Sequence, residues 1–367
     1  MKIVVDGMGG DRGSEEVLKG ISLALKEMPD IDITVVGKEE KLNTIIDRLK
    51  IDRNRLEVVN ATEVVEMDDD PVQAVRKKKD SSLNVGLELV KSGLGDAFVS
   101  AGNTGAHISA SQLKLKRIKG VLRPAIATVF PCKKGNFVFM DMGANADTKS
   151  EFINQFATMG SVFAKEILKK ENPTVGLLNI GSEEGKGNEV TREAFDLLVD
   201  NPSINFVGNI ESRDMMSGDI DVIVTDGFTG NMVLKTAEGV ATFIFDVLKE
   251  EIQKSFFAKI GFLFMKKALK KMKNKMDSSE YGGALFLGLN GISIKAHGNS
   301  DALAFKNAIK VANEFAKNRF VEKLSSAIEE KERATREVRN PQTKERMTIP
   351  GKKIWGTLSR VYSLYNK

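Results

Sequence analysis

Eight side chains that can donate a hydrogen bond to an anion sit on short glycine-bearing loops: Asn103, Thr104, Asn145, Lys186, Asn188, Thr229, Asn231 and His297. Neutral amides, hydroxyls and a lysine in such loops suit recognition of a phosphate and stabilisation of an oxyanion without a metal. The sequence has no G-x-x-x-x-G-K-[ST] phosphate loop and no G-x-G-x-x-G fingerprint after its first strand-like run. Histidine or cysteine spacing of the kind that holds zinc is absent too, so no metal is expected. The only histidines are His107 and His297. His297 lies among Gly, Asn, Ser and Asp, a better setting for chemistry than that of His107.

The elements that must position these groups repeat one grammar. The β-branched run 222–225 gives way to Asp226-Gly227-Phe228-Thr229-Gly230-Asn231 and then to helical spacing of apolar residues. Residues 96–100 run likewise into Ala101-Gly102-Asn103-Thr104-Gly105-Ala106, residues 137–140 into the loop Asp141–Asn145, and residues 175–180 into Gly181–Glu189. A strand–turn–helix junction leaves backbone N–H groups unpartnered at the positive end of a helix dipole, which suits an anion. Together with the strand 2–5, its loop 6–11 and the alternating pattern that follows, this predicts an α/β sheet covered by helices.

At 367 residues, 41% apolar and 29% charged, the chain is long enough for one large domain or two and reads as soluble and globular. Residues 1–10 read as a strand entering a glycine turn, so no secretory signal is expected, and no apolar run is long enough to span a bilayer. One cysteine, Cys132, excludes an internal disulfide framework and fits a reducing cytoplasm. The net charge of +5 is modest, but positive charge clusters at 76–79, 114–123, 133–134 and above all 259–275, which predicts acidic partners. Asp68-Asp69-Asp70-Pro71 reads as a helix start rather than a metal site.

Residues 236–254 keep helical spacing without a break. Residues 256–265 are apolar nearly all round and are followed by a lysine-dense segment. Aromatics beside lysines suit a helix lying in an anionic membrane interface, and an oligomer contact is the competing reading. A last helix is expected over 302–324. From about residue 334 apolar periodicity fades into a basic tail, whose RNPQT followed by Ile349-Pro350 resembles a short piece of the histone-like DNA-binding proteins.

Taken in order and spacing, DGMGGD, SAGNTGA, DMGAN, GSEEGKGNE, TDGFTGN, YGGA and KAHGNSD resemble the PlsX phosphate acyltransferases of bacterial phospholipid synthesis, over about residues 1–333. The resemblance implies transfer of a long acyl chain from acyl carrier protein to inorganic phosphate, giving an acyl phosphate, with no cofactor. It implies a three-layer α/β/α fold similar to isocitrate and isopropylmalate dehydrogenases and phosphotransacetylase, with a protruding helical pair at about 236–277. A homodimer is implied, cytoplasmic and peripherally bound to the inner face of the cell membrane through Phe257, Ile260, Phe262, Leu263, Phe264, Lys266 and Lys267. No specific nucleic acid is expected, and the tail 334–367 is left without a role.

By the same resemblance Lys186 and Asn231 carry the reaction, with His297 a possible proton donor to the leaving thiol. Asn103, Thr104, Gly105, Asp141, Asn145, Asn188, Asp226, Thr229 and Gly230 form the phosphate and substrate cradle. The basic segments 114–123 and 133–134 would dock the acidic carrier protein. The chain departs from the family pattern at Arg12-Gly13-Ser14, where His-Ala-Pro is usual. Read as residues alone, Lys186 is equally a surface lysine and Asn231 a helix cap. The alternatives are a phosphotransacetylase-like enzyme acting on short acyl-CoA, a metal-dependent dehydrogenase of the same fold, and a non-catalytic lipid- or nucleic-acid-binding protein.

Overall fold

The computed structural model describes residues 1–276 and 282–339. Its first part alternates strands and helices: β1 (Lys2–Asp6), α1 (Gly13–Glu27), β2 (Asp32–Gly37), α2 (Glu39–Leu49), β3 (Leu56–Asn60), α3 (Pro71–Lys77), α4 (Ser82–Lys91), β4 (Ala97–Ser100) and α5 (Thr104–Leu115). A hairpin follows, β5 (Ala125–Cys132) and β6 (Gly135–Met140), then α6 (Ser150–Glu166), β7 (Thr174–Asn179), α7 (Glu189–Val199), β8 (Asn205–Glu211) and β9 (Val222–Val224). The long helices α8 (Gly227–Lys254) and α9 (Phe256–Met276) lead back to β10 (Ala284–Leu287), β11 (Ile292–Lys295), α10 (Ala302–Lys317) and α11 (Phe320–Arg339).

The strands form one mixed sheet in the order β3-β2-β1-β4-β11-β10-β5-β6-β9-β7-β8. Its direction changes in the middle. β1 to β4 and β11 are parallel, β10 is antiparallel to both β11 and β5, β5 is antiparallel to β6, and β9, β7 and β8 run with β6. The two parallel halves run in opposite directions, but the registers Val99↔Ile294, Ile294↔Leu285, Leu285↔Ala127 and Ala127↔Met140 bring the carboxyl ends of β4 and β6 to nearly the same level, so the two sets of loops approach each other across the centre of the sheet. The antiparallel β5–β10–β11 centre and the β5 strand were not foreseen: Pro131 and Cys132 end β5, and Lys133-Lys134 make the hairpin turn.

Apolar side chains fill both faces of the sheet, which is why its strands read as near-continuous runs rather than alternating ones. On one face α1, α6, α7 and α10 bury stripes such as Val17, Ile21 and Leu25 or Ile153, Phe156 and Phe163. On the other, α4 and α5, with Val233, Leu234 and Ala237 of α8, pack over Phe98, Phe139 and Phe286. The result is three layers.

Helix starts explain much of the Asn, Asp and Ser content. Asp70, Ser81, Asn103, Asn188, Asp226 and Asp301 cap α3, α4, α5, α7, α8 and α10, each accepting a backbone N–H three residues on. The helix expected over 302–324 is two, broken at Asn318 and Arg319, where Arg319 has φ of 50°.

Chain contacts mark residues 1–328 as one compact unit and place residues from 329 onward in a second. α11 runs to Arg339, and residues 340–367 of the expected tail, with its RNPQT and Ile349-Pro350, lie outside the described residues. Tyr281 of the YGGA motif lies outside them too.

Candidate functional site

At the carboxyl end of the first half-sheet three loops meet. Asp6 is buried, and its carboxylate accepts from the N–H of Met8 and Gly9 and, at 2.7 Å, from the Ser100 hydroxyl. A Cβ on Gly9 would lie 2.7 Å from the Gly102 nitrogen, so the first and second loops touch backbone to backbone. The Asn103 side chain is engaged at both ends: its oxygen caps Ala106 N–H, and its Nδ2 donates to the Met67 carbonyl at 2.9 Å. Thr104 is exposed and Gly105 fits against Pro71.

The third loop joins through backbone as well, with Asp11 N–H donating to the Gly298 carbonyl at 2.8 Å. Arg12 donates from Nε to Asn299 at 2.7 Å, so the residue that departs from the family pattern ties this loop to the first. His297 is exposed, and its Nδ1 accepts from Asn299 N–H at 3.1 Å. An acceptor at Nδ1 places the neutral ring's proton on Nε2.

Lys295 stands beneath these loops, only 8% exposed, and the sequence reading passed over it. In β11 the isoleucines 292 and 294 face one side of the sheet, while Ser293 and Lys295 face α5, where Ser293 meets His107 Nε2 at 2.8 Å. The Lys295 ammonium donates to the carbonyls of Ala101 at 3.1 Å and Ala296 at 2.5 Å. Burial pulls its pKa down to about 8, against the pull of Asp11 and Asp6 in the other direction. Lys235 of α8 is close enough to add repulsion. The fully buried His107 is held neutral, well below its ordinary pKa, by burial and by the Lys295 charge. The alternation Ile-Ser-Ile-Lys marks a strand, but by itself it puts the lysine on a solvent face, so its burial had no signal in the sequence.

The loops at the carboxyl ends of the second half-sheet form the other group. Asp141 is fully buried and accepts four hydrogen bonds, from the N–H of Ile126, Ala144 and Asn145 and from Asn145 Nδ2, all between 2.8 and 3.1 Å. Burial raises its pKa, and these four donors oppose the rise. Asn145 Nδ2 also reaches the Pro124 carbonyl at 2.8 Å, and the Asn145 carbonyl accepts from Gly227 N–H at 2.9 Å. A Cβ on Gly230 would fall 1.9 Å from the Asp141 carbonyl oxygen, so the turn into α8 is seated directly on the 141–145 loop. Asp226 caps Thr229 N–H at 2.8 Å, and Asn231, exposed, lies beside Gly143.

Lys186 lies in the loop after β7, whose neighbour β9 leads into α8. Its side chain is half exposed, 4.0 Å from Glu183, and its carbonyl accepts from Asn179. Asn188 caps α7 through Thr191 N–H at 2.9 Å. The structure thus groups Asn103, Thr104, Gly105 and His297 on the loops of the first half-sheet. Asp141, Asn145, Lys186, Asn188, Asp226, Thr229, Gly230 and Asn231 lie on those of the second, whose strand ends stand at nearly the same level across the central strands.

A cavity of about 240 Å3 between α6 and α10, floored by Ala127, Leu285 and Ile294, lies on the face of the sheet away from Lys295. Cys132 is buried. Among the basic segments, Lys114 pairs with Glu88 and Lys134 with Asp219. On α9, Phe257 (83%), Leu263 (69%) and Phe264 (86%) are exposed, as are Ile260, Lys266 and Lys267, while Phe262 is half-buried. α8 exposes Val240, Phe243, Ile244 and Val247. Among the described residues no helix is long and apolar enough to cross a membrane, and no group of three or more His, Cys, Asp or Glu could hold a metal ion.

This architecture is that of the phosphotransacetylases. The chain matches the EutD phosphotransacetylase from Staphylococcus aureus with a TM-score of 0.55 at 17% identity, covering 89% of this chain and 94% of that one. Residues 1–323 match the family model described as fatty acid synthesis protein, and the chain belongs to that family. A phosphate acyltransferase from Fusobacterium nucleatum is 55% identical over 90% of this chain and 99% of its own length. One from Clostridium novyi is 50% identical over 90% and 99% respectively. The family expected from the seven motifs is thus the one found.

Proposed function

We propose that this protein transfers a long acyl group from acyl carrier protein to inorganic phosphate. The observation that carries the reading is the 55% identity, over nine-tenths of the chain, to a protein named phosphate acyltransferase. In this reaction a phosphate oxygen attacks the thioester carbonyl carbon, and the C–S bond of the tetrahedral intermediate breaks. The thiolate leaves and takes up the proton that the hydrogen phosphate loses. A thioester is already activated, so the protein's tasks are to dehydrate and aim the anion and to stabilise the developing oxyanion.

In this reading Asn231 and the Thr229-to-Asn231 turn, with the α5 start at Asn103 and Thr104, hold the phosphate. Lys186 neutralises charge on phosphate or the departing thiolate, and the Nε2–H of His297 donates a hydrogen bond to the leaving sulfur, whose proton comes from the hydrogen phosphate. Lys186→Ala is expected to keep the fold and lower turnover by about 10²-fold or more, the usual cost of removing one donor at a developing charge; turnover at the wild-type rate removes Lys186 from the mechanism. The exposed stripe on α8 supports a homodimer, and the exposed aromatics and lysines of α9 support peripheral attachment to anionic lipid at the cytoplasmic face. A Phe257→Glu, Phe264→Glu double variant is expected to lose flotation with anionic vesicles, and undiminished flotation rejects that contact.

The deciding experiment incubates the purified protein with palmitoyl-acyl carrier protein and inorganic phosphate, without metal. Free carrier thiol and hydroxylamine-trapped acyl phosphate are then assayed. Phosphate-dependent release of both is expected. Reaction with short acyl-CoA and not with the carrier-bound donor transfers the protein to the phosphotransacetylase reading.

A further inference from the structure

Between Asp96 and Asp141 the chain has no acidic residue, although it holds 50 Asp and Glu in all. That gap includes the turn after α5. There Lys116, Arg117, Lys119 and Arg123 are exposed, and among the described residues none of the four has a carboxylate within ion-pair distance. Lys114, just before them, is spent on Glu88. Backbone contacts hold the turn and leave its charges outward. Ile118 N–H donates to the Gly288 carbonyl and Asn290 N–H to the Lys116 carbonyl, both at 3.0 Å, and the Arg117 guanidinium closes the turn on the Leu122 carbonyl. A hollow of about 480 Å3 is lined by Gln112 and residues 116–121, and the neighbours of that lining on either side, Leu113 and Leu122, are exposed.

The turn is coupled to the second group of loops. The Pro124 carbonyl accepts from Asn145 Nδ2, and the Asn145 carbonyl accepts from Gly227 N–H at the head of α8, so two contacts lead from this surface to the helix that carries Asn231. Arg123 reaches α6 as well, lying 5.8 Å over the Phe152 ring. The other basic pair on β5 is placed differently. Lys133-Lys134 follow the far end of the strand, about 24 Å off at 3.4 Å per residue, and Lys134 is already bound to Asp219.

Unpaired cations around exposed leucines fit a partner that brings carboxylates around an apolar spot. A hollow is filled by a protruding element of a protein and not by a flat bilayer. We infer that the 113–123 surface, and not the 133–134 hairpin, is where the acidic carrier protein docks to present its acyl thioester to the loops at Asn145 and Asn231. The inference rests on the acyl-transfer reading and deepens it, since it says from which side the donor arrives. Leu113 and Leu122 supply the apolar centre, and Lys116, Arg117, Lys119 and Arg123 the charged rim that steers the encounter.

The test measures turnover of palmitoyl-acyl carrier protein with phosphate, and binding of the unacylated carrier by calorimetry, for the full-length wild type, Lys116→Glu with Lys119→Glu, Leu122→Asp and Lys133→Glu. Circular dichroism is the control for folding. The double charge reversal is expected to raise the KM for the carrier-bound donor by about tenfold or more, with kcat and the KM for phosphate within about twofold of wild type. A merely structural role beside Asn145 would move kcat and the phosphate KM too. Leu122→Asp is expected to weaken carrier binding by about tenfold. Wild-type binding should fall as salt is raised, and more steeply than that of the double variant.

An unchanged carrier KM in the folded double variant, a rise in Lys133→Glu instead, or no carrier binding by wild type overturns the proposal. Lost flotation with anionic vesicles at an unchanged carrier KM gives the surface to lipid and overturns it as well. If Leu122→Asp fails to fold, the double charge reversal carries the test. The acyl-transfer reading fails separately: carrier binding that depends on these lysines, without release of carrier thiol, sinks the donor assignment and leaves the docking surface standing.

Discussion

Asp141 and Lys295 are both buried charges at the end of a strand in the middle of the sheet, and the protein treats them in opposite ways. Asp141 receives four hydrogen bonds, which use up its lone pairs and hold the 141–145 loop in one shape. Lys295 receives two neutral acceptors, and the carboxylates of Asp11 and Asp6 act on its charge without pairing with it. A saturated charge organises backbone; an unsaturated one is left over to act on something else. The difference separates architecture from chemistry in a set of loops whose composition is otherwise alike.

The sharpest way to break this comparison is Asp141→Ala. It strands the N–H groups of Ile126, Ala144 and Asn145, and a loss of about 3–5 kcal/mol is expected from urea unfolding. A loss below about 1 kcal/mol would contradict the structural role.

Next in size is Gly230→Ala, whose Cβ would meet the Asp141 carbonyl oxygen at 1.9 Å. The backbone must move, at a cost of about 1–3 kcal/mol, and Asn231 moves with it, so phosphate affinity should fall together with stability.

Smallest, and opposite in pH trend, is Lys295→Met. The folded lysine has a pKa of about 8 against the ordinary 10.5, so between those values the unfolded chain holds a proton that the folded one has released. Wild-type stability therefore rises relative to Lys295→Met as pH climbs from about 8 to about 10. Paired thermal unfolding curves across that range check the sign, and a flat difference would mean that Lys295 titrates as a surface lysine does.

The strand–loop–helix junctions were legible because each needs a β-branched run, small residues in the turn and an Asx or Ser cap, and Val222 to Asn231 shows all three. The cradle loops were legible as loops. What their side chains do was not, because an Asn that caps, as Asn103 and Asn188 do, and an Asn that is exposed, as Asn231 is, are spelled alike. Lys295 was hidden for a related reason: glycine and asparagine after it made the segment read as a loop, whereas it closes a strand. The reversal of direction at β10 was out of reach, since a four-residue apolar strand has no sign of its own and one of its two partners, β5, lies more than a hundred positions away.

That central pair, β10 and β11, has a consequence for the nascent chain. Residues 284–295 fill the gap between β4 and β5, so everything made before them consists of two half-sheets, each with an unpaired inner edge. Open edges flanked by apolar faces invite pairing with other chains. Loss of the last quarter of the chain therefore does more than remove two helices, because it leaves the fold unclosed at its centre. The loops at Asp11 and Gly298 join across the same seam, so the loop cluster above Asp6 and Ser100 is completed only when the sheet is.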